Sequence, residues 1–250
     1  MLNLSRYAGT LQNVVDFFLP QRCGVCGAFV DAPGQSFCAS CLDGFAPIEN
    51  PRCERCGVPF KSPVQGDHLC GDCLNGRWKF DRAVSVFFYR GPLRNAVHRL
   101  KYAGNVILAK PLSGFLLTKT QWALQQAPDI LIPTPSRTSS LRRRGFNPPH
   151  LLARYASRAW NIPLSARALT FTRDIPSQAG LNRTERLRNV KGAFQADRDA
   201  VRGKRILLLD DVMTTGATVN ECAKALKKAG AESVSALTLA RVVEWDLNRS

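Results

Sequence analysis

The sequence predicts an α/β fold, a parallel sheet flanked by helices, with a small cysteine-rich domain in front of it. Two patterns carry that reading. From Phe80 onward, apolar runs of strand length alternate with stretches of helical periodicity, and strands separated by helices of this length imply parallel pairing through right-handed crossovers. Ahead of Phe80, eight of the nine cysteines fall between positions 23 and 73 as four Cys-x-x-Cys pairs, the spacing of a distinct module. A chain of 250 residues that is 45% hydrophobic has material for one large domain and an appendage.

Residues 1–20 read as a short amphipathic helix, with Leu11, Val14, Val15 and Phe18 at helical spacing and Pro20 at its end. The stretch lacks the charged start, clean apolar run and small-residue cleavage site of a signal peptide. No apolar run approaches the roughly 18–20 residues that cross a bilayer. The expectation is a cytoplasmic protein with no membrane insertion.

Residues 21–78 form the cysteine module, built on Cys23/Cys26, Cys38/Cys41, Cys53/Cys56 and Cys70/Cys73. Without an export signal, a disulfide framework is disfavoured. Each pair brings two thiolates within reach of one tetrahedral zinc at Zn–S distances of about 2.3 Å, and two pairs close a structural site with no open position. CGVCG and CERCG end in Gly27 and Gly57, whereas CASCL and CGDCL end in Leu42 and Leu74. This is an internal repeat with a period of about 30 residues. One zinc per repeat, two structural ions in all, follows most simply, and a cross-braced pairing is the alternative. Each unit resembles a zinc ribbon with a short hairpin around DAPGQ or KSPVQGD between its knuckles. So few large apolar side chains cannot hold a module of this size, so metal binding supplies folding energy. His68 reads as a surface-loop residue and Cys222 as a buried thiol inside a helix.

Residues 79–245 carry the α/β domain. Strands are expected at 82–89, 129–135, 205–211 and 232–241, and helices at 92–102, about 106–126, 148–160 and 217–230. Pro92 opens one helix, Asn147 caps another with proline in its first turn, and Gly230 stops the last. The net charge of +16 lies wholly in 81–250, because residues 1–80 balance seven basic against seven acidic groups. Between Asp129 and Asp174 there are eight arginines and no acid, including the run Arg142, Arg143, Arg144. A field of one sign this concentrated suits an anionic partner, either the phosphates of a small substrate or nucleic acid.

The chemistry concentrates in ILLLDDVMTTGATV, Ile206 to Val219. Ligands of parallel sheets bind at the carboxyl ends of strands. Asp210 and Asp211 are expected at such an end, and Thr214, Thr215, Gly216, Ala217 and Thr218 lead into a helix. Gly216 permits close backbone approach, several N–H groups converge, and the helix dipole favours an anion. The turn reads as a phosphate seat, and it lacks the lysine of a Walker loop. Two carboxylates would repel that phosphate if they faced it, but they accept hydrogen bonds from vicinal sugar hydroxyls. A ribose 5-phosphate satisfies both demands.

Residues 206–218 resemble the 5-phosphoribosyl-1-pyrophosphate (PRPP) motif of type I phosphoribosyltransferases. The resemblance extends to the ComF family, in which cysteine-rich zinc ribbons precede such a domain. It is carried by FYRGPLRNAVHRLKYAGN (88–105), IPTPSRTSSLRRRGFN (132–147) and SQAGLNRTERLRNVKGAF (177–194), and covers nearly the whole chain from Leu11 to Arg241. Pro148 departs from it, standing where the family often has glutamine.

The resemblance implies a type I phosphoribosyltransferase-like sheet, with Pro135, Ser136 and Arg137 as the pyrophosphate loop. It implies a hood at 175–190, with Gln178, Leu181, Arg186 and Asn189 in family positions. Asp210, Asp211, Lys101 and Arg137 are the catalytic candidates, Mg²⁺ arriving with PRPP. Lys101 and the Arg142–Arg144 run are candidates for neutralising pyrophosphate, and the arginines are equally candidates for nucleic-acid contact. Three functional readings stand side by side. One is pentosyl transfer to an unknown acceptor, within DNA uptake or nucleotide-linked metabolism. Another is handling of single-stranded DNA, with PRPP binding regulatory or vestigial. The third is a scaffold whose ribbons dock a helicase-like competence protein.

Overall fold

A computed structural model of the chain describes residues 21–30, 34–61, 66–118, 127–173, 175 and 183–243. The expected N-terminal helix at 1–20 lies outside them. Among the described residues the fold is organised by β5 (Arg205–Met213), whose aliphatic side chains alternate between two cores. Leu207 and Leu209 pack on one face of the sheet, Ile206 and Leu208 on the other, as a strand buried on both sides requires. β5 pairs in parallel with β6 (Ser233–Arg241) and with β2 (Ile130–Pro133), and β6 pairs in parallel with β1 (Arg82–Phe88). The sheet order is β1-β6-β5-β2. The fold class matches the sequence expectation.

Both sheet edges are covered. Ile48 N–H donates to Val86 O at 2.9 Å and Phe88 N–H to Ala46 O at 2.9 Å, so the chain leaving the first ribbon lies along β1. Leu131 N–H donates to Pro163 O and Ser165 N–H to Leu131 O along β2. Open edges invite pairing with other chains, and these short segments remove that hazard.

The first core holds α3 (Gly91–Tyr102), α4 (Ala109–Thr118) and α6 (Pro148–Trp160) against the sheet. The helix expected over about 106–126 begins as a 3₁₀ turn at Val106–Leu108 and continues as α4 to Thr118, and its expected remainder at 119–126 lies outside the described residues. The second core holds α9 (Ala217–Lys228), with Val219, Cys222, Ala223 and Leu226 buried. Cys222 is wholly buried in that helix, as expected.

Five elements of the α/β domain were not read from the sequence. A short helix α5 (Thr138–Arg144) carries the arginine run. β3 (Leu169–Phe171) and β4 (Phe194–Ala196) form a separate antiparallel pair. Between them, α7 (Arg183–Val190) occupies part of the segment expected as a hood, and a one-turn α8 (Arg198–Val201) follows β4.

The two cysteine repeats sit on opposite faces of the sheet. Cys23 and Cys41 belong to the first core, and Cys53, Cys56 and Cys73 to the second. Gly24 backs onto Leu108, and Gly57 onto the main chain of Ala83. The second knuckle of each repeat continues into a short helix, α1 (Ala39–Asp43) or α2 (Gly71–Leu74). The hairpins expected around DAPGQ and KSPVQGD fall partly on residues outside those described.

Candidate phosphate site and metal centres

The site opens where β2 and β5 part. Pro133 pairs with Leu209, and Thr134 N–H makes the last bond across, to Leu209 O at 2.8 Å. Pro135 has no N–H to continue the ladder, so the chain peels away through Ser136 and Arg137. Asn147 fixes that departure: its amide donates to Thr134 O at 2.9 Å, and its carbonyl accepts from Ser136 Oγ at 2.8 Å. The sequence marked Asn147 as a helix cap. It does precede α6, but its side chain makes no capping bond there and holds the loop instead.

β5 runs on past this point paired with β6 and no longer with β2, two residues beyond its expected end, so Asp210 and Asp211 lie within the strand and not at its tip. Strand alternation sends their side chains to different faces. Asp211 turns toward α3, where Lys101 Nζ stands 2.6 Å from its Oδ1. Asp210 accepts from the N–H of Asp211 at 2.9 Å and interacts with Thr134. Burial, then the neighbouring Asp211 charge, pushes the Asp210 pKa up to about 7, against the opposing pull of Lys101 and the Thr134 hydrogen bond. Burial lowers the Lys101 pKa, but Asp211 and then Asp210 outweigh it, and the net shift is upward. The ammonium stays charged.

A cavity of about 580 Å³ joins these groups. Of the expected residues, Lys101, Pro135, Ser136, Arg137, Arg143, Arg144, Asp210, Asp211, Thr214 and Thr218 line it. Arg142 is exposed and lies outside it. Thr215, Gly216 and Ala217 stand in the turn between Thr214 and Thr218 and are not among the residues that line the cavity. Thr215 Oγ1 accepts from Ala217 N–H at 3.3 Å, and Gly216 takes φ +75 immediately before α9. The sequence missed Tyr89, Tyr102, Thr134, Ser140 and Phe171 in the wall. Phe171 arrives on β3, braced on Phe194 with ring centroids 4.7 Å apart. Three-residue strands carry no period from which this could be read. Of the hood residues, Gln178 and Leu181 lie outside the described residues, as does the side chain of Arg186. The Asn189 carbonyl accepts from Arg173 at 3.3 Å.

The eight sulfurs gather as Cys23, Cys26, Cys38, Cys41 and as Cys53, Cys56, Cys70, Cys73, each set within 4.8 Å. Consecutive pairing holds, and the cross-braced alternative is excluded. Sulfurs of Cys26 and Cys38 are 3.6 Å apart, those of Cys53 and Cys73 3.4 Å, and those of Cys56 and Cys70 3.6 Å. A zinc tetrahedron with arms of about 2.3 Å has edges of about 3.8 Å, so both sets fit a structural zinc ion. Main-chain N–H groups already point at the sulfurs, Val25 at Cys23 and Cys70 at Cys53. Burial raises the pKa of both thiols, but the N–H donors prevail and bring Cys23 down to about 6 and Cys53 to about 7. Burial and neighbouring sulfurs push Cys41 and Cys73 upward, repulsion that a cation relieves. His68 is exposed, stacks on Phe60 at 3.9 Å, and is not a ligand.

No helix among the described residues is long and apolar enough to cross a membrane. A phosphoribosyltransferase-type sheet behind paired four-cysteine ribbons is thus the class defined by this fold. Comparison with known proteins agrees: residues 14–74 match the double zinc ribbon domain and residues 161–245 the phosphoribosyl transferase domain. The chain is 33% identical over 230 residues to DNA utilization protein YhgH of Escherichia coli O157:H7, covering 90% of this chain and 99% of that protein. It is 29% identical over 230 residues to Competence protein F of Haemophilus influenzae, covering 90% and 98%. It is 30% identical over 224 residues to Competence protein ComFC of Bacillus subtilis, covering 85% and 87%. The chain belongs to the ComF/YhgH family.

Proposed function

We propose that the cavity binds PRPP and that the protein is a phosphoribosyltransferase-like member of its family, acting in DNA uptake or nucleotide-linked metabolism. One observation carries the reading: a buried acid pair and a glycine turn opening a helix share a single cavity whose remaining charges are cationic. The 5-phosphate sits on the main chain of Thr214, Thr215, Gly216, Ala217 and Thr218, at the positive end of α9. The ribose hydroxyls donate to Asp210 and Asp211. The pyrophosphate lies along Pro135, Ser136 and Arg137.

Lys101 gives these parts a common logic. Without ligand it neutralises Asp211 at 2.6 Å. When sugar hydroxyls take over that carboxylate, the ammonium remains in the cavity to face the pyrophosphate. In transfer, a nitrogen lone pair forms the bond to C1 as the C1–O bond breaks, and the electron pair leaves on pyrophosphate. Lys101, Arg137, Arg143 and Arg144 stabilise the leaving charge, and the acids stabilise the cationic C1. Mg²⁺ accompanying PRPP would add charge neutralisation at the pyrophosphate. The family resemblance assigns Gln178, Leu181, Arg186 and Asn189 to a covering segment, of which Gln178, Leu181 and the Arg186 side chain lie outside the described residues.

A second reading has its own observation. The Arg144 guanidinium stands 4.8 Å from the ring centroid of half-exposed Tyr102, beside a hollow lined by Lys101, Arg143 and Phe146. Aromatic rings with arginine form stacking platforms for single-stranded nucleic acid. In this reading PRPP binding is regulatory or vestigial. The names of the relatives, competence and DNA utilization proteins, support a link to DNA under either reading. Incubation with Mg-PRPP and a panel of nucleobases and amines, following pyrophosphate release, separates them. Turnover with any acceptor selects transfer. PRPP binding without turnover, alongside single-strand affinity that falls steeply with salt, selects the second. Failure to bind PRPP at all overturns both.

A further inference from the structure

Arg241, the last residue of β6, is 6% exposed and makes no ion pair with a carboxylate among the described residues. Its Nη1 donates to Cys56 O at 2.8 Å and touches Met213 Sδ at 3.2 Å, while its Nε has no hydrogen-bond partner. Its contact with Cys56 places it beside the centre formed by Cys53, Cys56, Cys70 and Cys73, the acidic groups that oppose the dominant cost of its burial. An unpaired guanidinium at this depth is costly. Four thiolates around one zinc carry a net charge of about −2, and that centre supplies the missing counter-charge.

The contacts continue to the anion turn. Met213 and Arg241 are register partners across β5 and β6. A Cβ at Gly216 would stand 2.9 Å from Met213 Cε and 2.9 Å from two ring atoms of Trp78. Trp78 is buried, and Arg55, inside the third cysteine pair, donates to the Trp78 carbonyl at 2.8 Å. Lys79 N–H donates to Asn220 Oδ1 at 2.7 Å on the first turn of α9. The second ribbon therefore underlies the turn through Arg241–Met213, through Trp78 and through Asn220. The first ribbon lies in the other core, where Gly24 meets Leu108 and Arg99 reaches the Gly24 carbonyl at 3.4 Å.

We propose that Arg241 is a positioning residue: it balances the charge of the centre formed by Cys53, Cys56, Cys70 and Cys73, and it transmits the state of that centre to the turn at 214–218. The turn is set to receive an anion only while the second ribbon holds its zinc. Occupancy of the first ribbon leaves it unaffected. This coupling is to the shape of the turn, whatever anion binds there; the consequence for PRPP affinity rests on the reading above.

The test compares the full-length zinc-loaded protein with Arg241→Met and with Arg241→Lys, which keeps the charge without the forked reach. Hydrogen–deuterium exchange is read in peptides covering 213–219, 53–73 and 23–41, and zinc loss to a chelator is followed by native mass spectrometry. Outer-shell partners commonly alter metal affinity by about 10–100-fold. In Arg241→Met, one zinc is expected to leave at least about tenfold faster, with exchange in 53–73 and 213–219 rising together and 23–41 unchanged. Arg241→Lys shifts the same peptides by less. If Arg241→Met fails to fold, the lysine variant carries the comparison. Wild-type exchange at 213–219 in a variant that loses its second zinc overturns the coupling, as does wild-type zinc release. A wild-type protein that binds no Mg-PRPP while the exchange results hold counts against the PRPP assignment alone.

Discussion

Asp210 and Asp211 are neighbours in sequence with different surroundings. Asp211 has a cation at 2.6 Å. Asp210 has a main-chain N–H and a threonine, and it is the one whose pKa rises to about 7. Because folding raises that pKa, the native chain retains a proton that the unfolded chain has already released. Stability therefore falls as pH climbs from about 4 to about 7 and levels off above that. Under the proposed function, sugar hydroxyls donate best to an ionised carboxylate, so ligand binding is expected to expel the proton and affinity to rise through the same window. Denaturant titrations at pH 5 and pH 8 are expected to show Asp210→Asn gaining stability relative to wild type at the higher pH. A stability difference independent of pH would assign the proton elsewhere. The identities of these acids were legible from the sequence. Their divergent side chains were not, because that depends on β5 continuing through Met213.

The strand–turn–helix from β5 to α9 is the element on which the site stands. Gly216 holds it at φ +75, with Met213 and Trp78 closing the space where a side chain would go. Gly216→Ala is expected to cost about 1–2 kcal/mol from the left-handed backbone alone, with further loss from contact with the indole ring. For a chain of this size each kcal/mol lowers the melting temperature by about 2–4 °C, so a fall of about 2–8 °C from the backbone, and more with the indole contact, is expected by calorimetry. An unchanged melting temperature would contradict the packing. The four strands of the main sheet were legible as apolar runs, and the helices α3, α6 and α9 because each is long enough to show its period. β3, β4 and the helix α5 are too short for that. Phe171 could not be placed in the wall without them, and Asn147 looked like a cap until the loop it holds was visible.

At the scale of the whole molecule, the cysteine repeats were legible as two metal sites because the residues after each pair differ in kind, Gly27 and Gly57 against Leu42 and Leu74. Their placement on opposite faces of one sheet was not, since it follows from tertiary contacts such as Gly57 against Ala83 and Gly24 against Leu108. The charge distribution acquires a purpose in the same way. The arginine-rich stretch folds so that Arg137, Arg143 and Arg144 converge on the acids and the glycine turn, while Arg142 faces solvent. A cavity with cations around an acid pair is suited to a ligand with phosphate at both ends and hydroxyls between them. Calorimetric titration of Mg-PRPP into the zinc-loaded chain and into Asp210→Asn/Asp211→Asn tests that directly. The wild type should bind, and the double variant should lose at least about a hundredfold in affinity, as expected when charge-assisted bonds at about 1.5–3 kcal/mol apiece are removed, with both zinc ions retained. Equal affinity in the two proteins would contradict the account.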